Sequence, residues 1–144
     1  MLEPLSVTAA VVGLINTTTA VARGVNKVFQ RMHDAPEEIR KAGEEAAAMH
    51  LLFVQVQRFV QNPSLANPSY SGLISLDHIV VTLSACVKAF SMLDDFVRQL
   101  DSIADMNAWV RVRWNSKSEV LSAIMANIGT QKSSLEIMLT LLTG

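Results

Sequence analysis

Four stretches of this chain carry apolar residues at alternating steps of four and three, and that periodicity constrains the fold more than any other feature. The first runs through Val7, Val11, Leu14, Thr18, Val21, Val25 and Val28, and the second through Ala42, Ala46, Met49, Phe53, Val56 and Val60. The third comprises Ile79, Leu83, Cys86, Phe90, Leu93, Val97 and Leu100. The fourth comprises Leu121, Ile124, Ile128, Gln131, Leu135, Met138 and Leu142. A 4-3 repeat holds one stripe of a helix against its partners, as a and d positions do in left-handed helix packing. Leu52, Phe59, Val80, Val87 and Leu139 widen these seams into faces suited to a globular bundle. Half of the 144 residues are hydrophobic, enough for one domain with a substantial core.

The punctuation fits the periodicity. Asp34 is placed to cap the second helix, with Pro36 in its first turn and Glu37 at capping-box spacing. Glu37 and Glu38 also meet the positive end of that helix. Residues 62–72, holding Pro63, Pro68 and Gly72, form the clear loop. Ser75 can cap the third helix, with Asp77 in its first turn. A softer break from Asp101 to Met106 precedes a short segment with Trp109 and Trp114, after which Ser116 or Ser118 can cap the last helix. The expected fold is all-α: an antiparallel helical bundle of four long helices plus one short helix, spanning 1–144 as a single domain.

The sequence offers little for catalysis. The three histidines, His33, His50 and His78, lack an acid three residues earlier, as a di-metal carboxylate bundle would require. There is no His-Glu-x-x-His and only one cysteine, so no zinc ligand set is evident. No Gly-rich phosphate loop or Gly-x-Ser-x-Gly elbow is present. Glu44 and Glu45, like Asp94 and Asp95, are adjacent and therefore diverge by about 100° on a helix, which rules them out as dyads. Cys86 falls on an apolar seam, where a thiol is buried and inert. A lone cysteine makes no internal disulfide and suits a reducing compartment. The expectation is a non-enzyme with no cofactor and no metal, located in the cytoplasm.

Charge is unevenly distributed. Residues 1–33 set Glu3 against Arg23, Lys27 and Arg31, a net of +2. Residues 34–105 carry a net of -5 and residues 106–144 a net of +2, leaving -1 overall. That balance does not describe a nucleic-acid binder. Glu3 stands where a secretory signal wants a base, and neither a myristoylation nor a prenylation motif is present. Pro4 to Ala22 is uncharged over 19 residues, yet Asn16 and Thr17, Thr18 and Thr19 make it a weak membrane span. Arg23, Lys27 and Arg31 recur at steps of four, on the side away from Val21, Val25 and Val28. The first helix is therefore either a detachable membrane-seeking segment with a cationic edge or a core helix with a solvated basic end. Trp109, Arg111, Arg113, Trp114 and Lys117 read either as a docking patch or as a bundle end closed by two indoles. Thr18 and Gln131, polar on their seams, either set register or sit near the bundle ends.

Several segments carry a further resemblance. The opening Glu3-Pro4-Leu5-Ser6-Val7-Thr8-Ala9-Ala10-Val11-Val12-Gly13-Leu14 is similar to the start of the fungal N-terminal domain of STAND proteins, a HeLo-like family. So are Asp34-Ala35-Pro36, the run Leu76-Asp77-His78-Ile79-Val80-Val81-Thr82-Leu83-Ser84-Ala85-Cys86, Arg111-Val112-Arg113-Trp114 and Lys132-Ser133-Ser134-Leu135. The resemblance spans nearly the whole chain. It implies the N-terminal part of a larger protein, with C-terminal regulatory domains such as a nucleotide-binding oligomerisation module. It further implies a cell-death effector that self-associates on a signal, moves to the plasma membrane and directs its N-terminal helix to anionic lipid. Carried onto this chain, the membrane segment is Leu5 to Ala22. The membrane-interacting residues are then Leu5, Val7, Val11, Val12, Leu14 and Ile15, with Arg23, Lys27 and Arg31. The alternative is a non-lytic protein–protein interaction and oligomerisation module, for which the acidic face of Glu37, Glu38, Glu44 and Glu45 is the candidate contact surface.

Overall fold

The computed structural model describes residues 4–31, 35–62, 76–101 and 106–143. Among them are four α-helices and no strand: α1 (Pro4–Arg31), α2 (Glu37–Gln61), α3 (Leu76–Asp101) and α4 (Met106–Thr143). Helix α1 packs on both α2 and α3, α3 packs on α4, and α2 packs more lightly on α4. The helices thus close a four-membered ring, with the α1–α3 edge opposite the α2–α4 edge.

The 4-3 seams form the core of this bundle. Every position of the first seam is buried, Thr18 included. On α2, Ala42, Ala46, Met49, Phe53 and Val56 are buried and Val60 is half-buried. On α3 all but half-buried Ile79 are buried, and on α4 all but half-buried Gln131 and Leu142. Phe53 and Phe90 meet across the ring, their rings 5.9 Å apart and tilted by 78°, the edge-to-face arrangement that aromatic quadrupoles favour. Helix α3 also buries Thr82, Ala89 and Phe96, a second stripe at steps of seven. It needs both stripes because it packs against α1 on one side and α4 on the other.

Two glycines bring backbones close to α1. A Cβ on Gly43 of α2 would lie 2.9 Å from Val25 Cγ1 and 3.2 Å from Val25 Cβ. A Cβ on Gly24 of α1 would lie 2.6 Å from Val97 Cγ1 of α3. Any larger residue at these points requires the facing valine or its helix to shift. Further along the α1–α2 contact, Thr18 meets His50.

Four sequence expectations change here. Helix α2 begins at Glu37, so Pro36 occupies the N-cap position instead of the first turn, with extended backbone (φ -60, ψ 143) and no side-chain cap. Its carbonyl accepts the Ile39 N–H at 3.0 Å. Glu37 therefore opens the helix and pairs with Arg40, instead of closing a capping box. Helix α4 is continuous from Met106 to Thr143, so no separate short helix surrounds Trp109 and Trp114, and Ser116 and Ser118 lie inside it. No Pro or Gly interrupts the sequence between Met106 and Ile128, and a serine stops a helix only when something else does. Val87 does not widen the α3 seam but is 42% exposed, being rotated about 100° from buried Cys86. Asp34, residues 63–72 and Ser75 lie outside the described residues, as does the side chain of Asp77.

Candidate functional site

The first helix divides its candidate residues between core and surface. Val7, Val11 and Leu14 are buried, Ile15 is half-buried against the core, and Val12 is 41% exposed. Leu5 opens α1, with its side chain outside the described residues. The apolar seam that could meet lipid is thus the seam that holds the bundle together. Among the described residues, no helix is long and apolar enough to cross a membrane.

The three consecutive threonines bond back to their own helix. Thr17 Oγ1 donates to the Gly13 carbonyl at 2.9 Å, and Thr19 Oγ1 to the Ile15 carbonyl at 3.0 Å. Thr18 Oγ1 lies 3.0 Å from the Leu14 carbonyl and 2.9 Å from that of Ile15. Back-bonding of this kind satisfies a hydroxyl without water, so these residues tax burial less than their polarity suggests. Thr18 also lies 3.1 Å from His50 Nδ1. The imidazole tautomer sets which of the two donates in this cross-helix bond. Sequence reading singled out Thr18 as a register residue but not His50 as its partner, because no local pattern links positions 32 residues apart. Gln131 instead donates to Asn127 on its own helix, at 3.4 Å.

Beyond the uncharged stretch, Arg23, Lys27 and Arg31 are exposed while Val21, Val25 and Val28 are buried. Arg23 and Lys27 line a shallow groove of about 240 Å³ with Ala20, Gly24, Asp94, Val97 and Arg98. Arg98 Nε lies 3.0 Å from Asp94 Oδ2. The groove on the α1–α3 edge therefore sets three cations against one carboxylate.

The opposite edge carries the opposite sign. A groove of about 420 Å³ between α2 and α4 is lined by Glu38, Lys41, Glu44 and Glu45, with Leu121 and Met125 from α4. Glu45 Oε1 accepts from Lys132 Nζ at 3.2 Å, tying the two helices together. Of the acidic face read from the sequence, Glu38, Glu44 and Glu45 reach this groove, and Glu37 is engaged by Arg40.

The aromatic–basic segment falls in the early turns of α4. Trp114 is half-buried and stacks edge-on with Phe96 at 6.4 Å, as expected of an indole that closes a bundle end. The side chains of Trp109, Arg111 and Arg113 lie outside the described residues, and Lys117 is half-buried.

Cys86 is fully buried, and burial pushes its thiol up to about 12 from an ordinary value of 9.0. The unfolded chain loses this proton near 9, while the folded chain holds it to about 12. The native state therefore binds more protons in that window, and stability falls as pH rises through it. Cys86→Ala is expected to flatten the decline, measured as urea midpoints of both proteins at about pH 8 and about pH 10.5. Equal declines in the two proteins would contradict the buried-thiol account. Among the described residues, no three His, Cys, Asp or Glu side chains group closely enough to hold a metal ion.

No family model, curated protein or solved structure matches this chain.

Proposed function

We propose that this chain is a non-catalytic signalling domain of the kind that heads fungal STAND-type receptors, inducing regulated cell death by self-association and membrane targeting through α1. In this reading the domain is cytoplasmic at rest, governed by C-terminal regulatory domains, and moves to the plasma membrane on activation. The observation that carries the membrane part is the build of α1. Its uncharged first part keeps its threonine hydroxyls within the helix, and its exposed cations follow at Arg23, Lys27 and Arg31. Such a helix suits the interface of an anionic bilayer, with its apolar seam in the acyl boundary and its bases at the headgroups. In the bundle that seam is buried, so the reading makes the bundle an off state from which α1 must part from α2 and α3.

An antiparallel order of the bundle belongs to the same reading. Contact of Val25 with Gly43, and of the earlier Thr18 with the later His50, supports that order for α1 and α2. A short connection between two helices favours this arrangement.

The test is dye release from phosphatidylcholine–phosphatidylserine liposomes, with the domain clustered on their surface through a terminal tag. Ile15→Glu is the informative variant, because Ile15 borders the apolar seam and is only half-buried, and circular dichroism checks that the bundle still folds. Placing a carboxylate on the lipid-facing helix is expected to cut release at least tenfold. Full release by folded Ile15→Glu would reject α1 as the membrane segment.

The second reading is a non-lytic interaction and oligomerisation module. It is favoured by the central place of α1, which is packed on two sides and carries the first seam wholly inside the core. Intact liposomes under dense clustering would select it.

A further inference from the structure

We infer that copies of this chain associate head to tail, the basic α1–α3 groove of one copy receiving the acidic α2–α4 face of the next. The inference rests on the self-association part of the reading above and specifies which surfaces meet.

Four observations carry it. The two grooves lie on opposite edges of the ring. Their linings are opposite in sign: Arg23, Lys27 and Arg98 against Asp94 on one, Glu38, Glu44 and Glu45 against Lys41 on the other. Within the molecule these charges are only partly matched. Asp94 engages Arg98 and Glu45 engages Lys132, but no ion pair links Arg23, Lys27, Glu38 or Glu44 to another described residue. Both grooves have apolar floors, Val97 with Ala20 and Gly24 on one side, Leu121 with Met125 on the other. Aliphatic stems of Arg and Lys lie along such floors while their heads reach carboxylates.

Symmetry then selects the mode of association. A twofold pair brings each surface onto itself, and would set Arg23 and Lys27 against their own copies, or Glu38 and Glu44 against theirs. Like-charge juxtaposition of that kind is strongly disfavoured. A heterologous contact puts unlike grooves together and leaves one of each free at the ends, so it propagates into a ring or a filament. Near-neutral net charge does not oppose such growth.

The test is sedimentation velocity of the chain at about 0.02 M and about 0.5 M salt, where surface charges go from weakly to strongly screened. Wild type is expected to form concentration-dependent oligomers at low salt and to fall back to monomer at high salt. Two variants follow, Arg23→Glu/Lys27→Glu and Glu38→Lys/Glu44→Lys. All four positions are exposed, and circular dichroism checks the fold. Each variant alone is expected to associate about tenfold more weakly or worse. An equimolar mixture of the two restores assembly, because one then presents two basic faces and the other two acidic ones. Variants that assemble as wild type does, or a mixture that stays monomeric, would overturn the pairing of these grooves while leaving self-association standing. Wild type that remains monomeric to about 1 mM at low salt would also overturn the pairing, since even weak complexes of Kd near that value would populate.

Discussion

Phe53→Ala is expected to cost about 3–5 kcal/mol of stability, the usual range for removing a buried aromatic ring from a core. Phe53 is fully buried on α2 and meets Phe90 of α3 across the ring at 5.9 Å. Helices α2 and α3 share no principal packed face, so this pair fills the space between two diagonal elements. Truncating one ring removes its transfer term, leaves a cavity and orphans the edge of the other ring. A domain of this size has about 5–15 kcal/mol in all, so the variant is expected to sit near its unfolding threshold. Urea denaturation followed by far-ultraviolet circular dichroism gives the value from the midpoint and slope. A loss below about 1 kcal/mol would mean that the two rings do not close a well-packed centre. Phe90→Ala and the double variant complete a cycle, in which the pair is expected to couple by about 0.5–1.5 kcal/mol.

How far the fold can be read from the sequence is visible in the seams. The positions at 4-3 spacing are almost all buried, because a residue's place on a helix fixes which side it presents, and four compatible stripes leave one way to hide them. What the spacing does not reveal is how many neighbours a helix has. The Thr82, Ala89 and Phe96 stripe of α3 answers to a particular partner and nothing local marks it, whereas buried Ile39 continues the α2 seam one step of three before Ala42. Helix ends were legible in residue type but not in register. Pro36 and Glu37 do flank the start of α2, two positions away from where a capping box would set them. Continuity through Ser116 and Ser118 goes with a contact between helices, Trp114 against Phe96, that the sequence alone does not display.

The candidate site was legible in part for the same reason. Exposure of Arg23, Lys27 and Arg31 follows directly from their angle to Val21, Val25 and Val28. The groove that Arg23 and Lys27 form with Asp94 and Arg98, and the facing of Glu38, Glu44 and Glu45 toward Leu121 and Met125, require the ring to be assembled first.

Cross-linking α1 to α2 is expected to abolish membrane activity and to restore it on reduction. The close approach at Gly43 supplies the position: a Cβ there lies 3.2 Å from Val25 Cβ, and a disulfide needs about 3.5–4.5 Å, so a small local adjustment seats the bond. Val25→Cys/Gly43→Cys would close a loop of under twenty residues and add about 3 kcal/mol to stability in the chain-entropy model. Cys86 does not compete for pairing, since it is fully buried and its thiol is pushed up to about 12. If α1 must leave the bundle to reach lipid, the oxidised protein holds it in the core and clustered liposomes stay sealed. Reductant then releases dye to the level of the unoxidised control. Self-association is expected to respond differently, because the lock changes neither the α1–α3 groove nor the α2–α4 groove. The oxidised protein would then keep its salt-dependent sedimentation while failing to open liposomes, which separates self-association from membrane entry within one molecule. Full dye release from the oxidised protein, with bond formation verified by thiol titration, would show that α1 need not part from α2 and would end the stored-helix account.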